Sequence, residues 1–169
     1  MGFYSFVSIL FMRYARQDEI PEIEFYMKLC AEEAINSKCK KSQRGVMIVK
    51  DDEAIGKGYN EPTIPELCCL RDNIKDNSRV ELCTGLHAEE NAILNALKTG
   101  ISLAGARMYH ERVKDGKVTT VGDIPSCTVC SRLVLKSGIS EFVLRHKRGY
   151  AIFGAEEFNR MSFDYFLKK

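Results

Sequence analysis

With 169 residues, 45% of them hydrophobic and 28% charged, the chain has the size and composition of a single globular domain. Its 25 basic and 23 acidic residues leave a net charge of +2, too balanced for an extended nucleic-acid-binding surface, although a small phosphorylated ligand needs only a local basic pocket. Seven cysteines in such a chain read as reduced thiols of a cytoplasmic protein rather than a secreted disulfide framework.

The stretch from Met1 to Met12 is mostly apolar, but it is too short to span a bilayer and lacks a basic leader region. Phe6 stands where a myristoylation signal needs Ser or Thr, so no membrane partner is expected. Residues 1–19 read as an N-terminal extension, with Met12 as an alternative start ahead of the polar run Arg13 to Glu19, and residues 20–169 as the domain. Pro21 suits the first turn of a helix, and Glu22 and Glu24 follow it as helix starts prefer. Ile23, Tyr26, Met27, Cys30 and Ala34 then recur at helical spacing and predict one buried stripe. Val46 to Val49 is continuously apolar, the pattern of a strand covered on both faces. Asp51-Asp52 predicts a turn, and Ala54 to Tyr59 the returning strand.

Glu61 to Gly85 carries two prolines and three cysteines without periodicity. A loop of that length leading into His87 is expected to face a ligand. His87 to Lys98 predicts a helix with Ala92, Ile93, Ala96 and Leu97 toward the core and Gly100 as its stop. Arg107 to His110 reads as a strand, and Lys114 to Lys117 as a hairpin turn. Cys127 to Lys136 predicts another helix, closed by Gly138. Glu141 to Leu144 reads as a strand and Ala155 to Lys169 as a final helix. Alternating strands and helices with short links argue for a layered α/β domain.

Two of these helices open on residues that can hold a metal. Cys127 and Cys130 are three apart, so a helix puts both sulfurs on one face. His87 offers a third ligand and leaves the fourth position of a tetrahedral zinc open for water. Glu89 is placed to handle protons beside that water without being a ligand. Helix N-termini favour negative charge and so help hold two thiolates. A redox pair would account for the cysteines but not for His87 and Glu89. A closed structural site with Cys83 as the fourth ligand is the other alternative, and it leaves Glu89 without a task.

The pattern His87-Ala88-Glu89 followed by Pro125-Ser126-Cys127-Thr128-Val129-Cys130 resembles the signature of zinc-dependent nucleobase deaminases. The likeness is nearest the deoxycytidylate deaminase branch. It extends from Phe25–Asn36 through Arg44 to Asp51, Gly58-Tyr59-Asn60 and Leu82 to Ile93, ending after Gly138-Ile139. Two departures touch the ligand side: Ser126 stands where the family has Pro before the first Cys, and Glu61 where it tends to have Gly. The resemblance implies a three-layer α/β/α cytidine-deaminase-like fold, with helices flanking a mixed sheet of about five strands. It implies zinc on His87, Cys127 and Cys130, Glu89 as the proton carrier, and Asn60, Ala88 and Ser126 as substrate contacts. The implied reaction is hydrolytic deamination of a cytosine nucleotide, foremost deoxycytidylate. Cytidine or deoxycytidine, another free base, or a tRNA adenosine are alternatives, and the balanced charge weighs against tRNA. From another class, the chain would be a non-catalytic zinc- or nucleotide-binding module. Family members usually assemble, so a homo-oligomer, a dimer or hexamer, is expected.

The remaining candidates have plainer readings. Glu90 is a first-turn acid at a helix start. His110 and His146 read as surface or strand-end residues, and Cys39, Cys69 and Cys83 as buried, inert thiols. Arg44, Arg71 and Arg79 are candidate phosphate contacts.

Overall fold

The computed structural model describes residues 12–64, 69–71, 74, 82–121, 125 and 127–168. The apolar stretch before Met12, together with Arg79 and Ser126, therefore lies outside the described residues. In chain order the elements are β1 (Arg13–Tyr14), a 3-10 turn (Gln17–Glu19), α1 (Ile20–Ala34), β2 (Gln43–Lys50), β3 (Glu53–Tyr59), β4 (Glu61–Pro62) and β5 (Gly85–Leu86). They continue with α2 (Ala88–Lys98), β6 (Arg107–Lys114), β7 (Lys117–Thr119), α3 (Thr128–Lys136), β8 (Glu141–His146), β9 (Gly149–Gly154) and α4 (Ala155–Leu167).

The main sheet runs β1-β9-β8-β6-β2-β3, with β7 paired to β6 off that path. Its pairs are antiparallel except β6–β8. A parallel neighbour cannot be reached by a tight turn, and the chain between β6 and β8 carries α3 as its crossover. Five longer strands match the expected number, and the two short ones at its margins, β1 and β7, bring the sheet to seven strands. The sequence pattern assigned nothing to residues 147–154, yet β9 forms a hairpin with β8, pairing Phe142 with Phe153 and Leu144 with Ala151. Its apolar run, Tyr150 to Phe153, abuts the final helix directly and so carries no separating turn signal of its own.

Alternation along the strands sorts the core into two layers. Val46 and Ile48 of β2 join Met108, Phe142, Leu144 and Phe153 beneath α2, α3 and α4. Met47 and Val49 join Tyr109, Val143 and Ile152 against α1. The α1 stripe is the one predicted: Ile23, Tyr26, Met27, Cys30 and Ala34 are its buried residues. Burying a side chain such as Ile23 contributes about 1.5–3 kcal/mol. Leu97 corrects the reading of α2, for it is 53% exposed while Ala92, Ile93 and Ala96 are buried. It lies one residue past Ala96, about 100° around the helix and off the buried stripe.

Both faces of the sheet meet a helix backbone at close range. A Cβ on Gly58 of β3 would lie 2.5 Å from the Ala92 nitrogen of α2, and one on Gly45 of β2 would collide with the Cys30 carbonyl of α1. These glycines let α2 and α1 settle on the strands, and the contact at Gly58 fixes where α2 begins. The two-residue pair β4–β5 brings Glu61 opposite Leu86, which carries the chain from the end of β3 back to the start of α2. Among the described residues no helix is long and apolar enough to cross a membrane.

Candidate active site

His87 caps the N-terminus of α2 with an extended backbone, φ −75° and ψ 159°. The Glu90 carboxylate accepts from its backbone N–H at 2.7 Å, so Glu90 has the capping role that its position suggested. Cys127 caps α3 in the same way, its sulfur accepting from the Cys130 N–H at 3.3 Å. The two helix starts face each other. His87 Nδ1 lies 3.0 Å from Cys130 Sγ and 3.3 Å from Cys127 Sγ, and the two sulfurs are 2.6 Å apart.

One imidazole nitrogen and two sulfurs, all within 4.8 Å of one another, form a donor set of zinc type, one short of the four ligands of a closed structural site. The group is tuned as a unit. Hydrogen bonding to Cys127 and then to Cys83 raises His87 to about 11. Cys127 falls to about 6, chiefly through its hydrogen bond with Cys130. Burial pushes the Cys130 thiol well up. A metal ion taken up here releases the protons this cluster shares.

Cys83 is not one of the three grouped ligand residues. It hydrogen-bonds to the His87 imidazole instead, and that bond lowers its thiol to about 7. Such outer contacts orient a ligating histidine. The expectation of buried, inert thiols is therefore corrected: Cys39, Cys69 and Cys83 are all partly exposed, and Cys83 touches the site.

Glu89, in the first turn of α2, points inward with a side chain 8% exposed, while its Oε2 has no hydrogen-bond partner. Burial pushes this carboxyl up, but His110, His87, its own backbone N–H and Arg44 together outweigh burial and hold it below the usual value. His110 is the main correction to the sequence reading. It is 3% exposed, with Nε2 at 3.8 Å from Glu89 Oε1. Burial lowers it to about 4, so it is neutral near pH 7. His146 is buried too, edge-on to Tyr14 and Phe153. Both histidines fall on one face of longer strands than the sequence suggested; extending β6 past His110 gives the alternation Met108, His110, Arg112, and that signal locates His110 beneath α2.

Arg44 also turns inward. Its Nη1 lies 3.4 Å from His110 Nε2, and burial, the largest cause, lowers its guanidinium from the ordinary value while Glu89 raises it. Asn60 sits at the end of β3 with its amide engaged at both ends. Its Oδ1 accepts from the Arg44 N–H at 2.8 Å, and its Nδ2 donates to the Ser42 carbonyl at 2.9 Å. Each end keeps one further hydrogen-bonding position. Ala88, wholly buried at the start of α2, has its backbone beside Glu89. Arg71 stands close enough to Cys83 to lower its thiol.

The family model described as the cytidine and deoxycytidylate deaminase zinc-binding region matches residues 21–146. The chain is 34% identical over 124 residues to the deoxycytidylate deaminase of Saccharomyces cerevisiae, which covers 70% of this chain and 36% of that protein. It thus spans about a third of the yeast protein's length. It is 30% identical over 130 residues to the deoxycytidylate deaminase of Mycobacterium phage D29, covering 71% of this chain and 91% of that one. Among solved structures, the fold is similar to the apo dCMP deaminase of cyanophage S-TIM5, with TM-score 0.54, 21% identity, and coverage of 76% and 82%. It is equally similar to a cytidine deaminase from Burkholderia pseudomallei, with TM-score 0.54, 17% identity, and coverage of 80% and 94%.

Proposed function

This chain belongs to the cytidine and deoxycytidylate deaminase zinc-binding family, and on that premise we propose that it hydrolyses the amino group of deoxycytidylate, giving deoxyuridylate and ammonia. The observation that carries the reading is Glu89: an enclosed carboxylate with one oxygen unpartnered, two residues along from His87 of a three-donor cluster. A structural metal site gives such a group nothing to do.

His87, Cys127 and Cys130 are the residues that would hold zinc. Zinc in that position supplies Lewis acidity, lowering the pKa of a water it binds from about 15.7 toward about 7. Glu89 takes a proton from the attacking water as it adds to C4 of the cytosine ring, and it delivers the proton to N3. It then carries a second proton to the amino group, which leaves as ammonia, so the ring ends as uracil with one water consumed. The burial of Glu89 excludes bulk water from this exchange and strengthens each electrostatic contact. The Ala88 backbone at the start of α2 orients the base, a role the family resemblance also implies for Ser126, and Asn60 holds the ends of β2 and β3 where a sugar would lie. The likeness to two deoxycytidylate deaminases supports the nucleotide as substrate. The S-TIM5 enzyme has also been solved in complex with dCMP and dUMP.

Residues 20–169 form the catalytic domain in this reading, and the extension ahead of it contributes Arg13–Tyr14 as the edge strand β1 of the same sheet. The partly exposed thiols fit a reducing, cytoplasmic setting, and assembly into a dimer or hexamer accords with the family resemblance. The test is ammonia release from purified protein on cytosine, deoxycytidine, deoxycytidylate and the triphosphate. Deoxycytidylate should give the highest kcat/KM, because phosphate binding energy is lost in the nucleoside. Equal rates on deoxycytidine and deoxycytidylate would overturn the nucleotide assignment.

A further inference from the structure

The buried groups of the site do not balance in charge until Arg44 is counted. Two thiolates and a neutral imidazole around a divalent zinc sum to zero, so the metal cluster leaves the Glu89 carboxylate uncompensated. An enclosed carboxylate without a partner is strongly destabilising. His110 touches Glu89 Oε1 at 3.8 Å, a contact too long for a hydrogen bond, and its imidazole is neutral. The same Nε2 meets Arg44 Nη1 at 3.4 Å. A guanidinium can only donate, so Nε2 presents a lone pair to Arg44. One imidazole edge thus stands between a guanidinium and a carboxylate that have no closer ionic partner among the described residues.

Arg44 has no carboxylate at ion-pair distance among the described residues. Arg112, its partner across the β2–β6 ladder, carries the same charge and leaves its own Nε buried without a partner. Like charges opposite each other weaken a sheet; the strand pair itself gains nothing from a cation at this position. Arg44 and Glu89 instead meet the same ring atom, His110 Nε2, at 3.4 and 3.8 Å, and the charge of Glu89 raises the Arg44 guanidinium against the burial that lowers it.

We propose that Arg44 is the counter-charge of Glu89: a positioning residue that holds the carboxylate across His110 and leaves Oε2 free to carry the proton. The proton's fate rests on the deaminase reading; the charge pairing does not. The contact with His110 Nε2 gives Arg44 a task other than the phosphate contact expected of it.

The experiment is a double-mutant cycle on the zinc-loaded full chain, read by thermal melting and by steady-state kinetics on deoxycytidylate. Arg44→Met should lower the melting temperature by about 4–8 °C, and in a Glu89→Gln background the same change should cost less than about half as much. In the kinetics, kcat of Arg44→Met should fall about 10- to 100-fold with KM within about threefold, and Arg44→Lys should recover most of it. If Arg44→Met does not fold, Arg44→Gln in both backgrounds completes the same cycle. An equal melting penalty in the two backgrounds overturns the pairing. A rise in KM with kcat preserved overturns it as well, since it marks Arg44 as a substrate contact. Failure of the unmutated protein to act on deoxycytidylate would remove the deaminase reading alone, and the melting cycle would still decide the pairing.

Discussion

Strand β6 shows two ways of burying polar side chains, one on each face. Toward α1, every polar group it presents has its partner in the chain. Arg107 grips Glu141 at 2.6 and 2.7 Å, Tyr109 donates to Glu22 at 2.5 Å, and Glu111 accepts from Arg145 twice at 2.8 Å. Arg145 in turn lies over the Tyr150 ring, 4.9 Å from its centre. Toward α2 the same strand presents His110 and Arg112, whose Nδ1 and Nε have no hydrogen-bond partner among the described residues, as Glu89 Oε2 has none. Satisfied groups rigidify a fold; buried unsatisfied groups raise the question of what completes them. On the α1 face the polar groups complete one another, and the α2 face carries the groups proposed above to meet the substrate.

The largest effect should come from the unsatisfied face. Glu89→Gln keeps shape and volume but cannot accept a proton. Ammonia release should fall by about 10²–10⁴ with zinc content unchanged, and the melting temperature should drop by no more than about 4–8 °C, the share owed to leaving Arg44 without its counter-charge. Glu90→Gln is the matched control. It keeps an acceptor for the His87 N–H and should stay active. A fully active Glu89→Gln protein would erase the functional difference between the two faces; equal losses in both variants would point to a damaged helix start.

The satisfied face should respond the other way round. Glu111 is 1% exposed on its side chain and Arg145 31%. Arg145→Met strands that carboxylate, and breaking a fully buried pair costs about 3–5 kcal/mol. With one partner partly wet, about 2–3 kcal/mol is expected, or roughly 5–10 °C in melting temperature for a chain of this length. Adding Glu111→Leu should restore most of the loss, because it removes the stranded charge. Turnover per folded molecule should hold through both steps. A fall in kcat at unchanged stability would mean that the α1 face takes part in the chemistry after all.

How far the sequence could foresee this contrast differs from residue to residue. The α1 stripe follows from helical spacing alone, and each of its five positions is buried. His87, Cys127, Cys130 and Glu89 are legible because metal chemistry demands particular residue types, and local helix starts display them. Arg44 and His110 are not legible in that way. Both sit on strands, where a polar residue on the buried face looks like one on the wet face until the register is known. Arg44 pairs with Arg112, and His110 with Val46, and only that pairing places them under α2. The hairpin partner β9 escaped for a related reason: six residues with one tight turn give little periodicity to read.

The smallest effect expected is a shift with pH on the satisfied face. Glu19 closes that network at its edge, accepting from Arg13 at 2.7 and 2.8 Å and lying 4.0 Å from Arg107. The hydrogen bonds from Arg13, the largest cause, hold its carboxyl at about 2 instead of 4.5. Because the folded value is depressed, the unfolded chain binds the proton more readily. The stabilisation is therefore present at neutral pH and is lost as pH falls from about 5 toward 2. Glu111 works in the opposite sense, since burial raises its carboxyl, so its ionisation costs stability as pH rises past the ordinary carboxylate range. The parent's own pH profile mixes the two, and the difference between the parent and Glu19→Gln isolates the first. Arg13 is 32% exposed on its side chain, and exposed pairs contribute about 0–1 kcal/mol. The two proteins should then differ by roughly 1–3 °C in melting temperature at pH 7 and converge near pH 2. One molar salt should also shrink the gap at pH 7, as the Debye length drops to about 3 Å. A gap that stays constant from pH 7 to pH 2 would show that Glu19 acts through packing rather than charge, and the saturated network would end at Arg107.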